Sequence, residues 1–169
     1  MKIEFELRKW DKDYIDDLAL HANNFKIASN LRDAFPFPYT KKDAKEFISI
    51  CMAHEGKGQL CRAIVVKGEA VGCIGIHLGT DVFRKSAEIG YWLSETYWDM
   101  GIMSEAVKDM CEIAFKKFDI VRIYAQPFYH NLPSRRVLDN AGFSLEGIMI
   151  NGAYKNDDII DYCMYAKIR

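Results

Sequence analysis

The 169-residue sequence has the length of one ordinary domain. Half of its residues are hydrophobic and 28% are charged, which provides a single core and excludes an intrinsically disordered chain. The formal net charge of −1 excludes a long-range electrostatic attraction to nucleic acid or to an anionic membrane, so that any positive site must be local.

The first quarter of the chain predicts one strand followed by helices. Apolar residues alternate with charged ones over residues 3–7, which is the pattern of a half-buried strand. Asp11 is placed to cap a first helix, and a second short helix is predicted over residues 26–31. Thr40 and Asp43 form a Ser/Thr-x-x-acid signal that predicts the start of a third helix.

The rest of the chain changes repeatedly between the strand and helix periods. Strands are predicted at residues 60–66, 71–78, 87–93, 121–126, 143–150 and 158–168, and helices at about residues 103–118 and 133–141. The tripeptide Lys67-Gly68-Glu69 predicts a tight hairpin turn, and the segment NGAYKND, residues 151–157, predicts a loop. This order indicates an α/β (α+β) domain in which a mixed sheet carries helices on both faces.

Cysteine and histidine usage indicates neither a disulfide framework nor a metal site. The five cysteines are odd in number and form no Cys-x-x-Cys pair, and the four histidines have no metal-ligand spacing. The start of the chain lacks the apolar run of a signal peptide, and no stretch approaches the ~18 apolar residues of a membrane span. We therefore expect reduced thiols in a cytoplasmic protein that does not bind a metal or a membrane.

The stretch WDMGIMSEA, residues 98–106, places one glycine between a predicted strand and a predicted helix. Gly101 could serve only as a connection, because glycine tolerates unusual backbone angles. It could also open a phosphate site, because the first amides of a helix lack partners and carry partial positive charge. The chain has neither G-x-x-x-x-G-K-[ST] nor G-x-G-x-x-G, so the common triphosphate and dinucleotide loops have no support.

Three segments resemble, in their order and spacing, the GNAT superfamily of N-acetyltransferases: EIGYWL, YWDMGIMSEA and NLPSRRVLDNAGFSLEG. They are most similar to its branch of ribosomal-protein N-terminal acetyltransferases, RimJ/RimL. The resemblance implies one GNAT domain over residues 1–169, with a mostly antiparallel twisted sheet that splays between its fourth and fifth strands. It also implies acetyl-CoA as co-substrate and direct acetyl transfer to a primary amine in a ternary complex.

The resemblance assigns the cofactor contacts residue by residue. The cradle for the pyrophosphate of acetyl-CoA is Met100, Gly101, Ile102, Met103 and Ser104. The superfamily pattern begins with Arg or Gln and ends with Gly or Ala, whereas this chain has Trp98 at the first place and Met103 at the last. The cradle acts through backbone N–H groups, so the methionine is tolerable if its side chain turns away.

The pantetheine arm is expected along the fourth strand, with the main-chain groups of Trp92 and Leu93 as contacts. By the same resemblance, Asn131 meets the pantetheine amide and Ser134 lies beside the sulfur. The residues alone have a simpler interpretation, because Asn131 is a good helix cap before Pro133 and Ser134 is an ordinary first-turn residue.

The proton transfers depart from the family pattern. Many GNAT enzymes use a tyrosine at the place of Leu138 as general acid, so Ser134 is the predicted donor to the leaving thiolate. Some RimJ/RimL-like enzymes have a catalytic glutamate at the place of Ala153. Glu88 is the predicted substitute base, with a solvated strand-edge carboxylate as the alternative interpretation. Lesser candidates are Asp161 and His77.

The acceptor amine is predicted from the free energy of deprotonation. At pH 7 the neutral form costs ~4.6 kcal/mol for a lysine of pKa ~10.4 and only ~1.1 kcal/mol for an α-amine of pKa ~7.8. A site that has Ala153 at the place of the family's glutamate base therefore favours a protein or peptide N-terminus. A polyamine, an antibiotic or an amino acid is the alternative acceptor, and a non-catalytic acyl-CoA-binding module is the alternative function. The resemblance further suggests a homodimer.

An acidic group in the last predicted loop and strand has two interpretations. Asp157, Asp158 and Asp161 could attract a cationic acceptor, or they could form a solvated hairpin.

Overall fold

The computed structural model describes residues 2–169, which form one seven-stranded sheet with helices packed around it. The strands are β1 (Glu6–Lys9), β2 (Gln59–Val66), β3 (Glu69–Leu78), β4 (Ser86–Leu93), β5 (Arg122–Ala125), β6 (Ser144–Lys155) and β7 (Asp158–Ile168). The helices are α1 (Ile15–Ala22), α2 (Phe25–Ala28), α3 (Lys41–Ala53), α4 (Ile102–Lys117) and α5 (Leu132–Asn140). This mixed architecture confirms the predicted fold class.

The sheet has the order β1-β2-β3-β4-β5-β7-β6 and is antiparallel except for one parallel pair, β4 with β5. That pair is short, because only residues 86–88 of β4 lie beside residues 122–124 of β5. Residues 89–93 continue β4 while β5 diverges, which leaves one side of this segment without a neighbouring strand in the described chain. This is the predicted splay, and we call residues 89–93 the free edge of β4.

The core lies in two layers because the sheet is covered on both faces. One layer, beneath α4 and α5, contains Ile74, Ile76, Ile89, Val107 and Leu138. The other layer, beneath α1 and α3, contains Trp10, Leu18, Ile48, Val65 and Trp92. Residues 70–76 of β3 are all buried, which is the continuous apolar pattern of a strand covered on both sides.

The capping signal of the third helix forms as predicted. The Thr40 hydroxyl accepts the Asp43 amide at 3.3 Å, and the Asp43 carboxylate accepts the Thr40 amide at 2.8 Å. The two side chains thereby satisfy main-chain donors at the start of α3.

Two predicted boundaries were wrong. The first strand occupies Glu6–Lys9, although Ile3, Phe5 and Leu7 still pack against the core. The predicted loop at residues 151–157 is mostly strand, because β6 continues to Lys155 and only Asn156 and Asp157 form the turn, both with positive φ. β6 is a largely exposed edge strand, so its polar residues imitate a loop composition.

No helix within residues 2–169 combines the length and the apolar character needed to cross a membrane. All five cysteines are buried and free, in agreement with the predicted core thiols.

Candidate active site

The turn that leads into α4 is shaped by a left-handed glycine; residues 98–104, which include this turn and the first three residues of the helix, are hereafter the Gly101 turn. Gly101 has φ +77° and occupies the cap position of α4. A Cβ at this position would meet no atom within 4 Å, so the surface above the glycine is open. The positive φ explains the glycine, and the open surface gives a ligand room to approach the backbone.

The first amides of α4 face this open surface without partners. The first helical bond runs from the Glu105 amide to the Gly101 carbonyl at 3.4 Å, and glycine provides no capping side chain. The turn and loop hydrogen bonds of residues 2–169 include none donated by the amides of residues 99–104. Ile102 and Met103 are buried with their side chains in the core, so the methionine does not cover the amides. The turn therefore fits an anion such as a pyrophosphate.

The one acidic residue in the first turn of α4 is neutralised by two lysines. Lys108 Nζ lies 2.9 Å and Lys2 Nζ lies 3.5 Å from the Glu105 carboxylate. These cations hold the pKa of Glu105 below its ordinary value. The carboxylate therefore does not cancel the positive end of the helix dipole.

The free edge of β4 lies next to the Gly101 turn. The Ser94 amide donates to the Val71 carbonyl at 2.8 Å, so in β4 the main-chain groups of even-numbered residues face β3. The main-chain groups of Tyr91 and Leu93 consequently face the splay, whereas those of Trp92 do not. Of the two predicted main-chain contacts, the structure brings Leu93 to the free edge, and Trp92 instead packs its side chain against Phe35.

Trp98 has a structural role that its sequence position did not reveal. Its indole N–H donates to the Leu93 carbonyl at 2.7 Å. Trp98, which departs from the superfamily pattern, therefore links the Gly101 turn to the end of β4 by a hydrogen bond. The Leu93 carbonyl is taken by this contact, and the Leu93 amide remains directed toward the splay.

The start of α5 lies across the splay from β4. Asn131 caps the helix, because its side-chain oxygen accepts the Ser134 amide at 3.3 Å. The phenol oxygen of Tyr91 lies 2.9 Å from the Ser134 hydroxyl and 3.2 Å from the Ser134 carbonyl oxygen, so its single proton can be donated to either. The structure therefore places Ser134 directly against the free edge.

Tyr91 lies beside Ser134, although its sequence position within a predicted strand does not single it out. Successive side chains of a strand point to opposite faces of the sheet, so the Tyr91 phenol points toward α4 and α5 and Trp92 points to the other face. This alternation is the sequence signal that could have identified Tyr91. Burial raises the pKa of the Tyr91 phenol above its ordinary value, so the phenol stays protonated at neutral pH. Leu138, at the place of the general acid of many GNAT enzymes, is fully buried in the core.

Glu88 lies where β4 and β5 separate, and it is ion-paired. It is opposite Tyr124 in the last register position before the splay. Arg32, from the loop after α2, donates to the Glu88 carboxylate and also to the Gln126 side-chain oxygen at 3.0 Å. No pattern in the sequence indicated this pair. The predicted base is thus at the mouth of the splay, and its carboxylate is ion-paired with the Arg32 guanidinium.

The lesser candidates for the base, His77 and Asp161, share no hydrogen bond with Ser134 within residues 2–169. His77 is exposed and is the cross-strand neighbour of Glu88. The Asp161 carboxylate accepts the Asn151 amide at 2.7 Å, and the Asp157 carboxylate accepts the Tyr154 hydroxyl at 3.3 Å. Two members of the acidic group are therefore used within the β6–β7 hairpin, which supports its interpretation as a solvated hairpin.

The segment after α2, residues 29–33 and hereafter the strap, crosses the splay on the side of Glu88. Its members form three hydrogen bonds beyond the splay: Asn30 with His130 in the loop before α5 at 3.2 Å, Asp33 with Lys155 of β6 at 2.8 Å, and the Ser29 carbonyl with Asn156 in the β6–β7 turn at 3.4 Å. The strap also carries Arg32, which contacts Glu88 of β4 and Gln126, so it connects β4 to segments beyond the splay. Residues 2–169 contain no cluster of side chains suited to hold a metal ion.

Comparison with known proteins identifies N-acetyltransferases as relatives of this chain. A family model described as the acetyltransferase (GNAT) domain matches residues 4–144. The N-acetyltransferase p20 of Bacillus licheniformis is 29% identical over 136 residues, which cover 78% of this chain and 76% of that protein. The ribosomal-protein-serine acetyltransferase of Escherichia coli K12 is 30% identical over 105 residues, which cover 62% of this chain and 58% of that protein.

A solved structure extends the comparison to the whole chain. RimL, a ribosomal L7/L12 alpha-N-protein acetyltransferase in complex with coenzyme A, superposes with a TM-score of 0.86 at 25% identity. The superposition covers 97% of this chain and 93% of that chain.

Proposed function

We propose that this chain, which belongs to the GNAT acetyltransferase family, acetylates the α-amine at a protein or peptide N-terminus. The predicted family and the predicted co-substrate, acetyl-CoA, are confirmed, and the chain is an acetyl-CoA-dependent N-acetyltransferase. The acceptor is the proposed part. The observation that carries it is the ion pair of Glu88 with Arg32 at the mouth of the splay.

The cofactor end of the site is formed by backbone amides. Bound acetyl-CoA supplies a thioester carbonyl carbon that forms a bond to the amine nitrogen while its bond to sulfur breaks and the sulfur keeps the electron pair. The amides of residues 100–104 would hold the pyrophosphate, because they are open and lie at the positive end of α4. The Leu93 amide, directed into the splay, is positioned to stabilise negative charge that develops on the carbonyl oxygen.

The sulfur end of the site is formed by α5. Asn131 fixes the first turn of this helix, and Ser134 presents its hydroxyl toward β4. We assign to Ser134 the hydrogen bond that the sulfur receives as it leaves. A thiol of ordinary pKa ~8.5 leaves as a weakly basic thiolate, so a hydrogen bond is sufficient at neutral pH.

The acceptor end of the site disfavours cationic amines. Arg32 compensates the charge of Glu88, so this carboxylate offers little attraction to a lysine ammonium or a polyamine. Ala153 supplies no second carboxylate. An α-amine needs only ~1.1 kcal/mol to become neutral at pH 7, against ~4.6 kcal/mol for a lysine. Such an amine can therefore lose its proton to solvent before it attacks, and the proton released from the nitrogen after bond formation can pass to Glu88 or to water.

The proposal is tested by the rate of CoA thiol release with a panel of acceptors. The panel contains a peptide with a free N-terminus, the same peptide with its N-terminus blocked, a free amino acid and spermidine. We expect the free peptide to give the highest kcat/KM and the blocked peptide to give no turnover. The highest kcat/KM with spermidine would reject the proposed acceptor, and no thiol release with any amine would reject the transferase function.

The role of Arg32 gives the panel a matched variant. We expect Arg32→Gln to raise the kcat/KM for spermidine relative to the peptide, because it leaves Glu88 without its cation. The control is Arg84→Gln, which removes an exposed arginine that contacts only the Asp81 carbonyl of its own loop. An unchanged preference in Arg32→Gln would show that the ion pair does not select the acceptor.

A further inference from the structure

Tyr91 and Ser134 form a contact that family membership does not assign. The two residues are 43 positions apart and belong to different elements, the free edge of β4 and the first turn of α5. One phenol oxygen lies 2.9 Å from the Ser134 hydroxyl and 3.2 Å from the Ser134 carbonyl. This contact joins β4 to α5 at the level where Ser134 faces the free edge.

The hydrogens of this contact can be arranged in two ways. If the phenol donates to the Ser134 carbonyl, the Ser134 hydroxyl can donate back to the phenol oxygen. The serine proton is then engaged in that hydrogen bond. If the phenol donates to the Ser134 hydroxyl oxygen, the serine proton is free for another acceptor. Only the second arrangement allows Ser134 to serve a leaving sulfur.

The phenol is suited to remain the donor in this pair. Its oxygen lies closer to the Ser134 hydroxyl, at 2.9 Å, than to the Ser134 carbonyl, at 3.2 Å, and burial, which raises the pKa of the phenol, keeps it protonated at neutral pH. Without the phenol, a serine in the first turns of a helix can direct its hydroxyl to a nearby main-chain carbonyl. Such a serine would be turned away from the sulfur.

We infer that Tyr91 is a positioning residue for acetyl transfer, which holds the Ser134 hydroxyl oxygen and thereby directs the Ser134 proton toward the sulfur of acetyl-CoA. This inference rests on the proposed role of Ser134. As the carbon–sulfur bond breaks, the sulfur takes the bonding electron pair. It receives a hydrogen bond from Ser134, which receives one from Tyr91. Both hydroxyls keep their protons, and the thiolate is later protonated by solvent.

The test is a double-mutant cycle with Tyr91→Phe and Ser134→Ala, assayed with the best acceptor of the panel. We expect Tyr91→Phe to lower kcat about tenfold and to leave the KM for acetyl-CoA within about twofold, because the contact acts mainly in the transition state. The double variant should have the kcat of Ser134→Ala alone, because Tyr91 acts only through Ser134. The control is Tyr165→Phe, which removes another buried phenol from the same core layer.

Each outcome of the cycle decides the inference. Equal kcat for Tyr91→Phe and wild type overturns it, and so do losses that multiply in the double variant. A Tyr91→Phe enzyme with lower thermal stability but normal kcat below its melting temperature shows a packing role only. A wild-type enzyme that is active while Ser134→Ala is unimpaired overturns the role of Ser134 and the inference together, with the transferase function intact. Absence of wild-type turnover with every amine rejects the proposed function itself.

Discussion

Ser134 shows how a common residue acquires a specific role from its neighbours. A serine in the first turn of a helix is ordinary, and the capping contact with Asn131 explains its place in the helix. The contact with Tyr91 adds what the local sequence lacks, because it fixes the hydroxyl against the free edge of β4. The chemical role proposed for Ser134 therefore depends on two elements that are distant in the chain.

Replacing Ser134 by alanine should reduce catalysis without reducing cofactor binding. We expect Ser134→Ala to lower kcat about 10²-fold, the low end for a positioned donor. Its dissociation constant for acetyl-CoA should stay within about twofold, because the Gly101 turn and the free edge are unchanged. Steady-state kinetics and calorimetry check both quantities. Ser144→Ala, at an exposed position that begins β6, is the control. A kcat within about twofold of wild type would contradict the proposed donor.

At the scale of a single element, α4 carries the cofactor site by its backbone rather than by side chains. Replacing Gly101 by aspartate should place a negative charge where the pyrophosphate is expected. We expect Gly101→Asp to lower the affinity for acetyl-CoA at least about tenfold, and Gly101→Asn, of the same shape, to lower it less. Calorimetry on the folded variants measures both constants.

The chain offers a matched control for the strain of these substitutions. Gly68, in the β2–β3 hairpin, has φ +86°, and a Cβ added there would meet no atom within 4 Å, as at Gly101. Gly68→Asp should therefore show a similar loss of folding stability with unchanged acetyl-CoA affinity. Equal affinities of Gly101→Asp and wild type would place the pyrophosphate elsewhere.

The cap of α3 predicts a pH-dependent contribution to stability. The Thr40 hydroxyl and amide, together with a smaller effect of Lys42, hold the pKa of Asp43 below its ordinary value of 3.8. A depressed pKa means that the charged carboxylate stabilises the fold above pH 3.8 and that this contribution is lost as the pH falls through the lower, folded-state value. Asp43→Asn should therefore unfold at lower urea concentration than wild type at pH 7.

The same comparison at low pH completes the test of the cap. The difference in urea midpoint between Asp43→Asn and wild type should shrink as the pH falls from 3.8 through the lower, folded-state pKa of Asp43, because the carboxyl group then becomes neutral like the asparagine side chain. A difference that is independent of pH would show that the charge of Asp43 does not contribute to the cap.

At the scale of the whole molecule, elements with strong local signals were predictable and contacts between distant elements were not. The Gly101 turn and the α3 cap depend on residues that are adjacent in sequence, so their patterns are visible without the fold. The contacts Tyr91–Ser134 and Arg32–Glu88 join residues 43 and 56 positions apart, and both exist only because the splay brings their elements together. The predicted loop before Asn156 failed for a related reason, because an edge strand needs few apolar residues.

The central claim, transfer of an acetyl group to an N-terminal α-amine, is tested most directly by locating the product. The purified protein is incubated with acetyl-CoA and a peptide that contains both a free N-terminus and one lysine, and fragment mass spectrometry identifies the modified nitrogen. We expect the acetyl group on the α-amine, and no product when the N-terminus is blocked beforehand. Acetylation of the lysine in place of the α-amine would contradict the account.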